Sequence, residues 1–336
     1  MRVVRIGVLT SGGDAPGMNA AIRAVVLEAA LRGSETIGIR CGFEGLLRGE
    51  FCRLTPEDVR DIIGRSGTVL KSARSARFRT EEGRCQAREQ IARAGLDALV
   101  VIGGDGSFRG AARLAGPNLK VIGIPGTIDN DIPGTDTTIG FDTAVSVVVE
   151  IVDRIKDTAT SLITEEPRVF VVEVMGRNLG AIATYSGLAS GADWTVIPEV
   201  PYDLANICES MARNQYSIVL VAEGAGGALA VAKTIKDRLH IEPRVTILGH
   251  LQRGGAPTAN DRVLATQMGA AAVDCLLAGG TNGFIGVTHG QVKLVDFPPE
   301  GAKKDLDLGL YWLGMHFTQT PAQDEPSLAP AANVPA

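Results

Sequence analysis

The chain has 336 residues, enough at roughly 100–200 per domain for two domains with substantial cores. Hydrophobic residues make up 45%, charged residues 21%, and the net charge is −5 at pH 7, which excludes a broad basic field for nucleic acid or an anionic membrane. Five scattered cysteines (Cys41, Cys52, Cys85, Cys208, Cys275) form no CxxC pair, which excludes a disulfide framework and a zinc site.

In chain order, a β-branched run at 3–9 predicts a strand, and 18–31, apolar every three to four residues, predicts a helix. Strands follow at 36–40, 99–102 and 121–124, then a helix over 141–157, a strand at 169–174 and a helix at 178–188. Strands at 194–197 and 218–221, a helix at 228–239, a strand at 245–248 and a helix at 258–277 complete the pattern. This alternation is α/β and doubly wound, with largely parallel sheets. The Pro- and Ala-rich tail 318–336 is expected to be disordered. No apolar run approaches the ~18 residues of a membrane span, and no signal-peptide pattern opens the chain, so a cytoplasmic location is expected.

Ligands of such sheets bind beyond the carboxyl ends of the strands, and those loops here are glycine-rich and polar. The first strand leads into Ser11-Gly12-Gly13-Asp14 and directly into a helix, whose free N–H groups suit phosphate. A second such loop, Gly103-Gly104-Asp105-Gly106-Ser107, adds a hard carboxylate suited to Mg²⁺. The next strand ends in Gly126-Thr127-Ile128-Asp129-Asn130-Asp131, two carboxylates able to deprotonate an acceptor hydroxyl. In an acidic chain, Arg74, Arg168, Arg177, Arg244 and Arg253 at or near strand ends read as a phosphate cluster, with Glu223 and His250 suited to sugar hydroxyls. Arg84, Arg88, Arg93, Lys303 and Lys304 read as solvated faces.

These loops, with Ser72-Ala73-Arg74, Met175-Gly176-Arg177 and the segment Gly249 to Gly255, resemble the ATP-dependent bacterial 6-phosphofructokinases from about residue 6 to about 295. The resemblance implies two doubly wound domains with the active site between them. The nucleotide domain would span 1–140 plus about 253–305, and the sugar-phosphate domain 141–252 plus about 306–317. The implied activity is ATP-dependent phosphorylation of fructose 6-phosphate, with Mg²⁺, in a homotetramer. By the same resemblance Gly13, Phe43, Arg74, Ser75, Gly104, Asp105, Gly106 and Ser107 bind the nucleotide, with Asp105 on the metal. Asp129 is the base, with Gly13, Arg74, Thr127, Asp131 and Arg177 around the transferring phosphoryl group. Thr127, Ile128, Asp129, Met175, Gly176, Arg177, Glu223, His250, Leu251, Gln252 and Arg253 contact the sugar, and Arg168 and Arg244 reach it from a neighbouring subunit.

Lys71, where the family usually has glycine, Ser75, where an aromatic is common, and a three-residue insertion between Lys156 and Arg168 depart from the pattern. A diphosphate-dependent relative and a non-catalytic sugar-phosphate sensor remain alternatives. Gly106 and Gly126 follow the ATP-dependent pattern, and the retained Asp105, Asp129, Asp131 and Arg177 speak against a sensor. Positions matching the lining of the family's effector site are Arg23, Leu27, Pro56, Lys156, Ala212 and Asn214. With only two of them basic, control by ADP or phosphoenolpyruvate is not expected.

Overall fold

A computed structural model of the chain describes residues 4–117, 119–162, 166–212, 214–280 and 282–318. Residues 319–336 of the tail and 163–165, between Lys156 and Arg168, lie outside the described residues. The elements run β1 (Arg5–Ser11), α1 (Met18–Leu31), β2 (Glu35–Ile39), α2 (Gly42–Arg48), β3 (Phe51–Leu54), α3 (Glu81–Arg93), β4 (Ala98–Gly103), α4 (Asp105–Leu114) and β5 (Lys120–Pro125). They continue with α5 (Phe141–Ser161), β6 (Arg168–Val174), α6 (Ala181–Ser190), β7 (Trp194–Val196), α7 (Leu204–Met211), β8 (Tyr216–Ala222), α8 (Ala228–Leu239) and β9 (Arg244–Ile247). The last are α9 (Ala259–Leu277), β10 (Gly283–Thr288), β11 (Gln291–Val295) and α10 (Leu308–Thr318).

Two sheets form. The first is seven-stranded, in the order β11-β10-β5-β4-β1-β2-β3, and the second four-stranded, in the order β7-β8-β6-β9. The second is wholly parallel. The first is parallel through its centre, but its edge strands β3 and β11 run antiparallel. Strand alternation sorts the first sheet's side chains onto two faces. Ile6, Val8, Val100, Ile102, Ile122 and Ile124 join the large core with α1 and α9, while Leu9, Leu99, Val101 and Val121 pack with α2, α3 and α4 in a second cluster. That two-sided burial explains why these strands are apolar at nearly every position.

Small residues set how closely the helices approach. A Cβ on Gly269 of α9 would lie 2.5 Å from Ala24 Cβ of α1, so only glycine permits this crossing. On α5, Phe141, Ala144, Val148 and Val152 belong to the core cluster shared with both sheets. No helix among the described residues is long and apolar enough to cross a membrane.

Candidate active site

In the first sheet, Ser11 pairs with Gly103 and Gly103 with Pro125. The carboxyl ends of β1, β4 and β5 therefore lie side by side, and the three glycine-bearing loops open at one edge. Ser11, Gly12, Gly13, Gly104, Asp105, Gly106, Ser107, Gly126 and Thr127 line a cleft of about 440 Å³, with Phe43, Arg74, Ser75, Arg177 and Arg253 among the residues of its walls. At Gly13 a Cβ would lie 2.8 Å from Arg253 Nη1, and that nitrogen donates to the Asp14 carbonyl at 3.1 Å. Glycine at 13 thus lets an arginine from the far side close over the first phosphate loop.

The loops of the second sheet arrive from the opposite side. Arg177, beyond β6, brings Nε to 3.1 Å from Asp129 Oδ2 and Nη1 to 4.0 Å from Asp131 Oδ2. Arg253 Nη2 lies 3.6 Å from Asp129 Oδ1. Asp129 is 0% exposed, and neither carboxylate oxygen receives an aligned hydrogen bond. Burial raises its carboxyl from the ordinary 3.8, against the opposing pull of Arg177 and Arg253. Burial, and then the neighbouring Asp129, raises Asp131 too. A carboxylate whose burial raises its affinity for a proton, held beside two guanidiniums, is equipped to take one.

Other predicted residues act on the protein itself. Glu223 accepts the Arg177 N–H at 2.7 Å, holding that residue in the left-handed region at φ 54°. Gln252, fully buried, accepts from Met175 N at 3.2 Å and donates to the Gly249 carbonyl, so it laces together the loops after β6 and β9. The side chain of Ile128 lies in the core, leaving only its backbone near the cleft. Ser75 Oγ donates to Glu44 Oε2 at 2.7 Å and accepts from Phe78 N. His250 and Leu251 are exposed.

Arg168 is buried, its guanidinium donating to the carbonyls of Thr158, Ala159 and Leu162 at the end of α5. It opens β6, at the amino end of that strand, away from the cleft loops. Arg244 is exposed, its guanidinium 5.4 Å from the Phe170 ring centre.

Phe43 lines the cleft, 5% exposed and stacked on Phe78 with centroids 4.0 Å apart, so the pair together makes the aromatic wall. Two readings change. Arg84 is not on a solvated face: it donates to Glu81 and to the Arg79 carbonyl and lines the cleft with Arg79, Arg109 and Arg113. Lys304 is likewise inward, donating to Asn130. Lys71 is exposed and absent from the cleft lining, and its φ of 59° gives the physical reason a glycine suits this position. Arg79, Arg109 and Arg113 carried no pattern beyond helix-surface charge, which is why the sequence did not single them out.

For Mg²⁺ the cleft lining offers two carboxylates, Asp105 on the second phosphate loop and Glu300. Asp105 is partly exposed, paired with Arg109 at 3.0 Å, and faces the space between the phosphate loops. No cluster of three or more acidic, His or Cys ligands occurs among the described residues. That suits a cation that takes one or two carboxylates and completes its shell with phosphate oxygens and water.

Glycine-lined helix starts on one sheet, arginines converging from a second, and a buried carboxylate between them define an α/β protein with a phosphate-handling cleft. The family model Phosphofructokinase matches residues 5–276, and the chain belongs to that family. It is 50% identical over 315 residues to the ATP-dependent 6-phosphofructokinase of Brevibacillus brevis, covering 92% of this chain and 98% of that protein. It is 53% identical over 298 residues to ATP-dependent 6-phosphofructokinase 1 of Thermus thermophilus, covering 86% and 91%. Among solved structures, Pichia pastoris phosphofructokinase in the T-state matches with a TM-score of 0.82 at 36% identity. The match covers 88% of this chain but only 37% of that larger one.

Proposed function

We propose that this chain transfers the terminal phosphoryl group of ATP to the 1-hydroxyl of fructose 6-phosphate. The observation that carries this is Asp129, buried and set between Arg177 and Arg253 where the loops of the two sheets meet. Asp129 accepts the hydroxyl proton as the oxygen attacks. Arg177 and Arg253 hold the carboxylate in place and offset charge spreading over the transferring group, the main task in phosphoryl transfer. Backbone N–H groups at the starts of α1 and α4 hold the donor phosphates, with Arg74 beside them. Thr127 lies at the floor, its hydroxyl accepting from Asp129 N at 3.2 Å. Asp105 would hold Mg²⁺, which when bound neutralises charge on the donor phosphates. The sugar lies against Met175, Gly176, Glu223, His250 and Leu251.

The donor reading rests on space. A Cβ on Gly106 would meet only the far end of Arg109, at 4.0 Å, so the wall stays open beside the aromatic pair Phe43 and Phe78. The domain division 1–140 plus about 253–305 and 141–252 plus about 306–317 has the support of β10 joining β5 in the first sheet and of α10 packing on α6. A homotetramer in the cytoplasm completes the reading. The test is steady-state turnover with fructose 6-phosphate and either ATP or diphosphate. Turnover with a higher kcat/KM for ATP is expected; a higher value with diphosphate overturns the donor assignment, and no turnover with either overturns the function.

A further inference from the structure

Lys304 lies between β11 and α10, where the chain returns from the first sheet. Its Nζ donates to Asn130 Oδ1 at 2.8 Å and to the Asp136 carbonyl at 3.0 Å. Asn130 Nδ2 donates to the same carbonyl at 3.4 Å, closing a ring of three hydrogen bonds. Asn130 is 4% exposed and sits at φ 51°, between Asp129 and Asp131 in the chain. Asn tolerates left-handed backbone better than most residues with a Cβ, but a buried amide oxygen left without a donor is costly, so this buried turn depends on surroundings that supply one. Asp136 is itself fixed: its N–H donates to the Val287 carbonyl at 2.7 Å, and its Oδ2 accepts from Gly290 N at 3.2 Å. The ammonium therefore ties the turn at Asn130 to the hairpin of β10 and β11.

We propose that Lys304 is a positioning residue for phosphoryl transfer: by anchoring Asn130 to Asp136 it holds the left-handed turn that aims Asp129 and Asp131 at Arg177. Lys304 touches neither substrate nor donor and acts through Asn130. The inference rests on the reading of Asp129 as the base. Buried polar rings of this kind fix reacting groups to a fraction of an ångström, and a displacement of about 1 Å can cost about 100-fold in rate.

In the intact enzyme, Lys304→Met is expected to lower kcat about 10- to 100-fold while KM for fructose 6-phosphate stays within about twofold. Lys304→Arg, which keeps charge and donors, recovers most of the loss. In an Asn130→Ala background Lys304→Met should cost nothing further, because the link through which Lys304 acts on the turn is already gone. Wild-type kcat in Lys304→Met, or losses that add in the double variant, overturns the proposal. Hydrogen exchange supplies a readout independent of turnover: the Asp129 amide, bonded to Thr127 Oγ1, should exchange faster in Lys304→Met, and unchanged exchange counts against the role. If the wild type itself transfers nothing to fructose 6-phosphate, the functional reading falls, while the exchange result still decides whether Lys304 holds this turn.

Discussion

Burial raises the Asp129 carboxyl above its ordinary 3.8, and the guanidiniums of Arg177 and Arg253 oppose that shift without cancelling it. Two consequences follow with definite signs. Catalysis needs the ionised form, so kcat should fall as pH drops through this raised value, and removing a cation that opposes the shift should move the acidic limb to still higher pH. Arg177→Met is therefore expected to displace the limb upward in a pH profile of kcat; a limb that stays in place would separate Arg177 from Asp129. For stability, a carboxyl whose folded value lies above its unfolded one favours folding in its protonated form, and that advantage is lost as pH rises through the folded value. Asp129→Asn should thus melt higher than wild type at neutral pH, with the gap closing in acid, while kcat drops by about 10²- to 10⁴-fold. A lower melting point at neutral pH would show that the ion pairs outweigh the burial. At this scale legibility depended on side-chain reach. Gly13, Asp129 and Arg177 stand in short loops whose spacing already announces phosphate chemistry. Gln252 and Lys304 lie 77 residues from Met175 and 174 from Asn130, their partners here, and no local pattern predicts such pairings.

Where α5 and α9 begin, side by side, each helix completes the other's start. Asp261 of α9 is 1% exposed and accepts from Gly140 N and Thr143 N at 2.8 Å and from Thr143 Oγ1 at 2.5 Å. In return, Thr143 Oγ1 accepts from Thr258 N, and Thr258 Oγ1 both caps α9 through Asp261 N and donates to Asp142. Asp261→Ala would strand three buried donors, and at about 1–3 kcal/mol each the loss is expected to exceed about 3 kcal/mol, read as a fall in denaturation midpoint. A loss below about 1 kcal/mol would mean that water replaces the carboxylate. The helices 18–31 and 228–239 were legible residue for residue because their apolar periods are unbroken. Missed elements had weaker signals. Strand β3 is four residues long on an edge, and only half-buried. The β10–β11 hairpin turns on His289-Gly290, both at positive φ, 52° and 75°. That is the geometry of a turn usually announced by Asn-Gly, and His in the first place hid it.

Assembly and control belong to the whole molecule. Arg168, at the start of β6, and the exposed Arg244 are the arginines proposed to complete a neighbour's sugar-phosphate pocket. Light scattering at assay concentration should show a tetramer, and a fully active monomer would remove the shared pocket.

The effector positions lead to a sharper expectation. Of the two cations that remain among them, Lys156 donates to the carbonyls of Ser190 and Gly191, tying α5 to the end of α6. Leu27 packs against the core, and Asn214 donates to Ser217 Oγ at 3.4 Å. Arg23 alone keeps a buried Nε without an acceptor. A charge-assisted contact contributes about 1.5–3 kcal/mol, whereas association costs at least about 4 kcal/mol in lost freedom, so one arginine cannot hold a dianionic or trianionic effector at micromolar concentration. ADP and phosphoenolpyruvate at fixed free Mg²⁺ and subsaturating fructose 6-phosphate are therefore expected to leave the rate unchanged, apart from competition of ADP with ATP at the cleft. That competition is separable, because it disappears at saturating ATP and survives Arg23→Ala. A several-fold activation or inhibition that persists at saturating ATP and vanishes in Arg23→Ala would show that Lys156 can leave its carbonyls for an anion and that the site works.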